Sequence, residues 1–186
     1  MLQKILFILI PEKSSERIKK SYDKIKLLLS RYFAGLILQI FILFVFYTII
    51  LLIIGTPNAV VIAFLCSLLN LIPFIGPFIG GILMVLLTMS SHISQDFSSV
   101  ILPKATYVAI GFTFGQLIDN FLSQPFIFSN RVKSHPLEIF LVIITAGLLL
   151  GPVGMIAAIP TYTALKVIAK EFLSENRIIK ELTKNL

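Results

Sequence analysis

The sequence has a single cysteine, Cys66, and only two histidines, His92 and His135. One cysteine excludes a disulfide within the chain and a cysteine-based metal site. The histidines stand far from any ligand-like spacing, so we interpret both as polar loop residues. The Walker A, GxSxG and HExxH patterns do not occur, so the chain shows no means of hydrolysing ATP. We therefore expect no enzyme activity, no metal and no cofactor.

Charge is also scarce, because only 13% of the residues are charged while 57% are hydrophobic. A soluble domain averages about 25% charged and roughly 45–50% apolar residues. Long uncharged aliphatic runs recur along the chain, which predicts an all-α integral membrane protein with the lipid bilayer as its partner. The net charge of +7 comes mostly from residues 13–31 and 166–184, which flank the apolar blocks. That distribution follows the positive-inside rule and argues against nucleic-acid binding.

The first 32 residues divide into two segments. Residues 1–11 are apolar but too short to span a bilayer, so they are interpreted as a partial membrane helix or an anchor. Residues 12–32 are predicted to form an amphipathic helix at the membrane interface. A helix packed on the soluble part of another subunit is the alternative. The apolar stripe of this helix consists of Ile18, Tyr22, Ile25, Leu29 and Tyr32.

Residues 33–170 are predicted to form a membrane transport domain that begins with an uncharged span at 33–54. The stretch NLIPFIGPFIGG at 70–81 then interrupts an apolar region with two prolines and three glycines. The flanking segments, 58–72 and 78–90, would each reach only about 20 Å as helices, which is too short to span. Two short helices joined by such a break predict a re-entrant hairpin, tolerated where protein or a wet cavity surrounds it.

The same arrangement recurs in the second half of the chain. A span is predicted at 105–125, and a second hairpin has arms at 137–150 and up to about 170, with its break GPVG at 151–154. Residues 171–186 are interpreted as a cytoplasmic charged tail. If 12–32 is cytoplasmic, every basic cluster falls on that side of the membrane. The two halves would then form an inverted repeat, as in secondary transporters. Two unrelated hairpins are the alternative.

The hairpin breaks supply the first candidate functional residues. Prolines free backbone carbonyls and glycines permit close approach, so broken helices can offer ligands to a solute or ion. The alternative is that each break only caps two short helices. The candidates are Asn70, Pro73, Gly76 and Pro77 in the first hairpin and Gly151, Pro152 and Gly154 in the second.

A polar face on the span at 105–125 supplies the second group of candidates. Gln116, Asp119 and Asn120 lie at i, i+3 and i+4, and an intramembrane carboxylate marks an ion or proton pathway by default. Gly111 and Gly115 form a GxxxG on the side of Asp119, which predicts packing against another helix. The alternative for Asp119 is a polar residue near the interface that merely orients the helix.

Four other charged residues are interpreted without a transport role. Arg131, Lys133 and Glu138 lie beside the mouth of the second hairpin, where exposed ion pairs are usually solvated and weak. Lys104 is interpreted as an interface anchor whose ammonium reaches the headgroups.

Several segments, in order, resemble the autoinducer-2 exporter-like (AI-2E) transporters. They are LLNLIPFIGPFIGGI at 68–82, GQLIDNFLSQPFIF at 115–128, SHPLEIFLVIITAGLLLGPVGMIAAIP at 134–160 and the ALKVI that follows, together with FILIP and RYFAGLILQ. Members of the family are typically about twice as long, so this chain resembles the C-terminal half or a truncated member. The resemblance implies a multi-spanning, homo-oligomeric protein of the cell membrane, with a pentamer as one arrangement. It also implies export of the quorum-sensing signal autoinducer-2 or sodium/proton antiport.

Three hypotheses about function follow. The first is a secondary transporter for a small solute such as autoinducer-2 or for cations and protons. The second is a channel-like oligomeric pore whose hairpins form a filter. The third is a half-length membrane subunit that does not transport.

Overall fold

The computed structural model describes residues 12–123 and 136–172, and within these ranges there is no β-strand. The anchor at 1–11, the connector that holds Arg131, Lys133 and His135, and the tail beyond residue 172 lie outside the described residues. Within the described residues, three stretches are long and apolar enough to cross a membrane, namely Glu16–Ile54, Phe97–Phe121 and Leu137–Phe172. The prediction of an all-α membrane protein is therefore confirmed. The α-helices are α1 Glu12–Ile54, α2 Ala59–Leu69, α3 Ile75–Ser91, α4 Leu102–Ile118 and α5 Pro136–Phe172.

Helix α1 is continuous from Glu12 to Ile54, so the predicted boundary between residues 32 and 33 is not a helix end. Its 43 residues reach about 64 Å, roughly twice the hydrocarbon thickness of a bilayer. An orientation of 12–32 in the membrane plane would require a bend near residue 32, and it stays a prediction. The helix ends in a Schellman motif. Gly55 (φ 73°) donates to the Leu52 carbonyl at 3.0 Å, and the Thr56 N–H donates to Leu51 at 2.9 Å.

The first hairpin consists of α2 and α3, and its break lies at residues 70–74. The chain leaves α2 through i→i+3 hydrogen bonds, the last from the Ile72 N–H to the Leu69 carbonyl at 3.1 Å, before Pro73 removes the next donor. A tight γ-turn follows, in which the Ile75 N–H donates to Pro73 at 2.8 Å across Phe74 (φ 66°, ψ −51°). This turn is rare and strained.

The structure therefore differs from the predicted arms, 58–72 and 78–90, and from a break that includes Pro77. The arms are Ala59–Leu69 and Ile75–Ser91. Pro77 is the third residue of α3, where a backbone N–H has no partner within the helix. The proline costs no hydrogen bond at that position, and α3 begins before it. Pro73 is the residue that interrupts the helix.

The two arms of this hairpin run antiparallel in close contact. Gly76 sits so near the Leu69 carbonyl that a Cβ there would overlap its oxygen. One turn later, a Cβ on Gly80 would lie 3.2 Å from the Cys66 carbonyl oxygen. Farther from the tip, Ile62 and Met84 share a buried core with Leu43 and Leu51 of α1. The hairpin is thus seated on α1 along its length.

Lys104, near the start of α4, joins both ends of this hairpin. Its Nζ donates to the Gly55 carbonyl at 3.2 Å and contacts His92 Nε2 at 2.8 Å. The other ring nitrogen of His92 lies 2.9 Å from the Thr88 carbonyl, so Nδ1 must donate and Nε2 accepts from the ammonium. Lys104 therefore faces two helix C-termini, where positive charge is favourable. His92 is thus buried in the turn that follows α3, and the Lys104 ammonium makes its contacts within the protein.

We expect Lys104→Met to lower the stability of the folded protein by about 1 kcal/mol, because it removes a charge-assisted bond at two helix ends. The measurement is thermal unfolding in detergent, followed with a thiol-reactive dye that reports exposure of the buried Cys66. Lys26→Met, at an exposed position of α1, is the matched control and should leave the transition unchanged. Equal transitions for the two variants would contradict the bridging role of Lys104.

The second hairpin lies within α5, which is interrupted at Gly151. This residue adopts φ 65° and ψ −152°, a conformation essentially restricted to glycine. The arms, 136–150 and 152–172, run antiparallel, since a Cβ on Gly154 would overlap the Ala146 carbonyl. At the open end of the hairpin, Lys166 Nζ lies 3.2 Å from the Glu138 carboxylate. The Lys166 side chain is 7% exposed and that of Glu138 24%, so the interpretation of Glu138 as a solvated residue is wrong.

The second hairpin meets the rest of the chain through an apolar cluster. Ile143, Ala158 and Ile159 pack against two residues of α1, and Leu71 of the first hairpin adds to the cluster. Nearby, Phe74 and Phe140 make an edge-to-face contact with ring centroids 5.9 Å apart. We call this group the hairpin-2 interface, and its buried members are Tyr32, Leu36, Ile143, Ala158 and Ile159.

Candidate functional site

Asp119 is the most buried acidic side chain in the described chain, with 1% of its surface exposed. It lies where α4 passes into a π-helical turn, Asp119–Ser123. Its Oδ2 accepts a 2.7 Å hydrogen bond from Gln39 Nε2 of α1, which is 6% exposed. Wide π-helical turns occur mostly as short insertions, frequently at functional sites. The contact therefore fixes a carboxyl group inside the packed helices.

One turn before Asp119, Gln116 connects three elements. Its Nε2 donates to the Tyr47 hydroxyl of α1 at 2.8 Å and to Asn70 Oδ1 at 3.1 Å. Asn70, at the end of α2, in turn donates through Nδ2 to the Cys66 carbonyl at 3.0 Å. Both hydrogens of the Gln116 amide are thus used, and the amide ties α4 to α1 and to the tip of the first hairpin. We call the five residues the polar cluster: Gln39, Tyr47, Asn70, Gln116 and Asp119.

The polar cluster lies near the middle of the uncharged run 33–54 of α1. Gln39 and Tyr47 are eight residues apart on one face of α1, so they are separated by about 12 Å along its axis. The uncharged run 33–54 has its midpoint between them, about 5 Å from Tyr47 and 7 Å from Gln39. Polar side chains at such depth face the interior of a bundle or a cavity and carry function by default. The cluster is therefore the candidate site.

The strained tip of the first hairpin lies beside this cluster. Phe74, the non-glycine residue with φ 66°, follows Asn70 by four positions. Strained backbone costs about 1–3 kcal/mol and concentrates at ligand sites and switch regions. The tip holds Asn70 against Gln116, while Pro73 ends α2 and Gly76 and Pro77 start α3. Of the first-hairpin candidates, Asn70 contributes a side chain to the cluster and the other three shape the backbone around it.

The other predicted residues are distributed over three places. Asn120 is exposed and lies in the π-helical turn Asp119–Ser123. Gly111 and Gly115 face α1, where Ile50 covers the first and Tyr47 and Phe46 cover the second. Their closeness to α1 brings Asp119 within reach of Gln39. The second-hairpin candidates lie at the other break, where Pro152 is exposed and Gly151 and Gly154 shape the backbone.

Two members of the cluster, Gln39 and Tyr47, were not identified from the sequence. A signal was available, since Gln39 is the single amide side chain in the run 33–54 and Tyr47 lies on the same helical face. An isolated amide at membrane depth requires a partner, which points to the bundle interior. The partner itself could not be named, because 80 residues separate Gln39 from Asp119 in the chain.

The chemistry of the cluster is that of an oxygen-rich site. The oxygens of its carboxyl group, three amides and phenol can coordinate a cation or accept a hydrogen bond from a hydroxyl. The amide N–H groups can also donate hydrogen bonds. None of the five residues of the cluster has a cationic side chain. The part of the chain that the structure describes contains no group of three or more His, Cys, Asp or Glu residues that could hold a metal. Such a set suits a monovalent cation, a proton or a hydroxylated neutral solute better than an anion.

Comparison with known proteins supports a place among transport proteins. Residues 1–174 match the family model described as AI-2E family transporter. The chain is 29% identical to "Putative transport protein YrrI" of Bacillus subtilis (strain 168) over 173 residues, which covers 93% of this chain and 46% of that protein. It is 33% identical to "Putative transport protein YueF" of the same organism over 129 residues, covering 69% of this chain and 32% of that protein.

A third relative is "Putative transport protein MT0215" of Mycobacterium tuberculosis (strain CDC 1551 / Oshkosh), 28% identical over 107 residues. That match covers 58% of this chain and 27% of the relative. The chain thus spans half or less of the length of these curated relatives. No solved structure matches the chain significantly. The names of these relatives describe transport proteins rather than enzymes, and the family model covers nearly the whole chain. The chain belongs to the AI-2E transporter family.

Proposed function

We propose that this chain is a secondary membrane transporter and that the polar cluster is its solute or ion site. The observation that carries the proposal is the carboxyl group of Asp119, which is buried beside the uncharged run of α1 and accepts a 2.7 Å hydrogen bond from Gln39. A buried carboxyl is costly in a membrane and usually marks an ion or proton pathway. The names of the relatives, which describe transport proteins, agree with this role.

Two kinds of cargo fit the oxygen-rich cluster. A proton or sodium ion would bind at Asp119, with amide and phenol oxygens as further ligands, as expected of a cation/proton antiporter. A small hydroxylated solute such as autoinducer-2 would instead exchange hydrogen bonds with the amides of Asn70 and Gln116. Autoinducer-2 export would connect the protein to quorum sensing. The cluster's burial favours a carrier over a channel-like pore, because a pore needs a continuous wet path.

The geometry of the first hairpin supports a re-entrant path. Both of its ends lie at Lys104, next to Gly55 and His92, while its tip reaches the polar cluster. Gly55, just after the end of α1, lies eight residues beyond Tyr47, which corresponds to about 12 Å along the helix axis. The hairpin would therefore enter from one side, turn at mid-depth beside Asn70 and return. A break at that depth is tolerated because α1 and α4 enclose it.

We further propose the cell membrane as the location, with the basic segments and the C-terminus in the cytoplasm. The exposed residues Arg17, Lys20 and Arg31 of α1 fit this orientation. A homo-oligomer, with a pentamer as one arrangement, would be the working assembly. Because the chain spans half or less of its curated relatives, a half-length subunit that does not transport alone is the competing role.

The test is proton movement in proteoliposomes that contain a pH-sensitive dye, under an imposed sodium gradient. We expect the wild-type chain to move protons and Asp119→Asn to fall to the level of empty vesicles, because the amide cannot exchange a proton. Asp23→Asn is the matched control, since this aspartate is exposed on α1 outside the uncharged run. A parallel arm measures efflux of labelled autoinducer-2 from the same vesicles.

The outcomes separate the three hypotheses. Cargo movement in wild type and Asp23→Asn, with loss in Asp119→Asn, would support the proposal and identify the cargo. Equal activity in all three proteins would contradict the role of Asp119. Flux that rises linearly with concentration would favour the pore. If a folded oligomer moves neither protons nor autoinducer-2, the half-length subunit is favoured.

A further inference from the structure

We infer that the second hairpin moves as one rigid unit against α1, and that the hairpin-2 interface is the gate that covers Asp119. The inference rests on the proposed function, because it describes how the polar cluster would become accessible. It concerns a different surface, formed by Tyr32, Leu36, Ile143, Ala158 and Ile159.

The first observation is where this interface lies. Leu36 precedes Gln39 by three residues and so shares its face of α1. Gln39 holds Asp119, which is 1% exposed. The apolar side chains from the second hairpin therefore pack on α1 within one turn of Gln39, on the side of the site toward residue 32. That is the side on which the basic part of α1 continues beyond the uncharged run.

The second observation is the chemistry of the two sides of the site. Toward residue 55, hydrogen bonds hold the elements together, through Gln116 at the tip of the first hairpin and Lys104 at its ends. Toward residue 32, four of the five buried members of the contact are aliphatic, including the small residue Ala158, and only Tyr32 among them carries a polar side-chain atom. Separating hydrogen-bonded groups in a dry interior leaves unsatisfied polar atoms, whereas an apolar surface can slide without that penalty. The hairpin-2 interface is thus the easier one to open.

The third observation is that the second hairpin is itself tightly joined at both ends. At its tip, Gly154 packs on the Ala146 carbonyl and Met155 packs on Gly147. At its open end, the buried Lys166 ammonium lies 3.2 Å from the Glu138 carboxylate and 5.2 Å from the Tyr162 ring centroid. The arms are therefore fixed to each other more firmly than to α1. Motion would occur between the hairpin and α1, with the arms staying together.

The test is a reversible cross-link across the interface. In a Cys66→Ala background, which removes the chain's single cysteine, Leu36→Cys is combined with Ala158→Cys. We expect oxidation to form the disulfide, to stop flux in proteoliposomes and to protect Asp119 from a water-soluble carbodiimide with an added amine, read by mass spectrometry. Reduction should restore both signals. The labelling readout does not require transport, so failure of this inference is distinguishable from failure of the proposed function.

The matched control is a cross-link within the hairpin, Glu138→Cys with Lys166→Cys in the same background. Because the ion pair joins the ends of two long side chains, this pair is cross-linked with a flexible bifunctional maleimide rather than oxidised, and we expect flux and labelling to stay unchanged. If it stops both, the arms move relative to each other and the rigid unit is wrong. Full labelling of Asp119 with the Leu36–Ala158 cross-link closed would overturn the gate. If that double variant is unfolded before oxidation, Tyr32→Cys with Ile159→Cys joins the same surfaces, and failure of both folded pairs to cross-link would also overturn the inference.

Discussion

Gly76→Ala is expected to destabilise the protein by about 3 kcal/mol or more and to separate the arms of the first hairpin. The added Cβ would overlap the Leu69 carbonyl oxygen and approach the Asn70 backbone. Neither is the end of a flexible side chain, so the backbone itself must move, and overpacking of this kind reaches the upper end of the usual cost. The displaced segment carries Asn70, so its hydrogen bond with Gln116 would be lost as well.

Gly80→Ala is the matched control for this prediction. It lies one turn farther along the same face of α3, and its Cβ would meet the Cys66 carbonyl oxygen at 3.2 Å. A shift of a few tenths of an ångström relieves that contact, and alanine gains up to about 1 kcal/mol over glycine in a helix. We expect a stability within about 1 kcal/mol of wild type. Thermal unfolding followed by dye labelling of Cys66 measures both variants, and equal effects would contradict the packing described here.

The breaks in the membrane helices could be predicted because they depend on local chemistry. Prolines and glycines within the apolar runs at 70–81 and 151–154 indicate interrupted helices, and this indication does not depend on how the helices pack. Their positions were less certain. Pro77 looks like a breaker in the sequence, but it is harmless in the first turn of α3. The γ-turn at Phe74 could not be predicted, since a bulky residue with positive φ persists only where its surroundings enforce it.

The polar cluster was predicted only where it lies on single elements. Helical spacing places Gln116 and Asp119 on one side of α4, and the structure keeps them together. Spacing also places Asn120 there, and the structure leaves its side chain exposed in the π-helical turn, outside the buried cluster. The bonds between Gln39 and Asp119 and between Tyr47 and Gln116 depend on how α1 packs on α4. Periodicity within one helix carries no information about that packing.

The boundary at residue 32 shows a different limit. The change from a charged to an uncharged sequence is real, but it marks a change of surroundings rather than the end of a helix. Helical hydrogen bonds do not distinguish water from lipid, so α1 continues through the change. The pairing of Glu138 with Lys166 likewise depends on the antiparallel arms of the second hairpin. The sequence shows the two charges, and the fold brings them together, with Lys166 buried and Glu138 partly buried.

Gln116→Leu is expected to cost about 2–4 kcal/mol, because it removes the donor on which two buried acceptors depend. Asn70 Oδ1 and the Tyr47 hydroxyl both accept a hydrogen bond from Gln116 Nε2. Asn70 is 4% exposed and Tyr47 is 0% exposed. A buried polar group that loses its partner costs about 1–3 kcal/mol. Thr113→Val, an exposed position about one turn earlier on α4, is the control and should leave stability within about 0.5 kcal/mol of wild type.

A double-mutant cycle with Tyr47→Phe decides whether this cost comes from the bond or from lost packing. If the bond matters, Tyr47→Phe combined with Gln116→Leu should be less destabilising than the sum of the single variants, by about 1 kcal/mol, because the stranded hydroxyl is then absent. Strict additivity would show that the two side chains are not coupled. Flux measured on the same variants extends the argument, since Tyr47→Phe keeps the shape of the cluster and removes one oxygen. A folded double variant without flux would place the site where α1, α4 and the first hairpin meet.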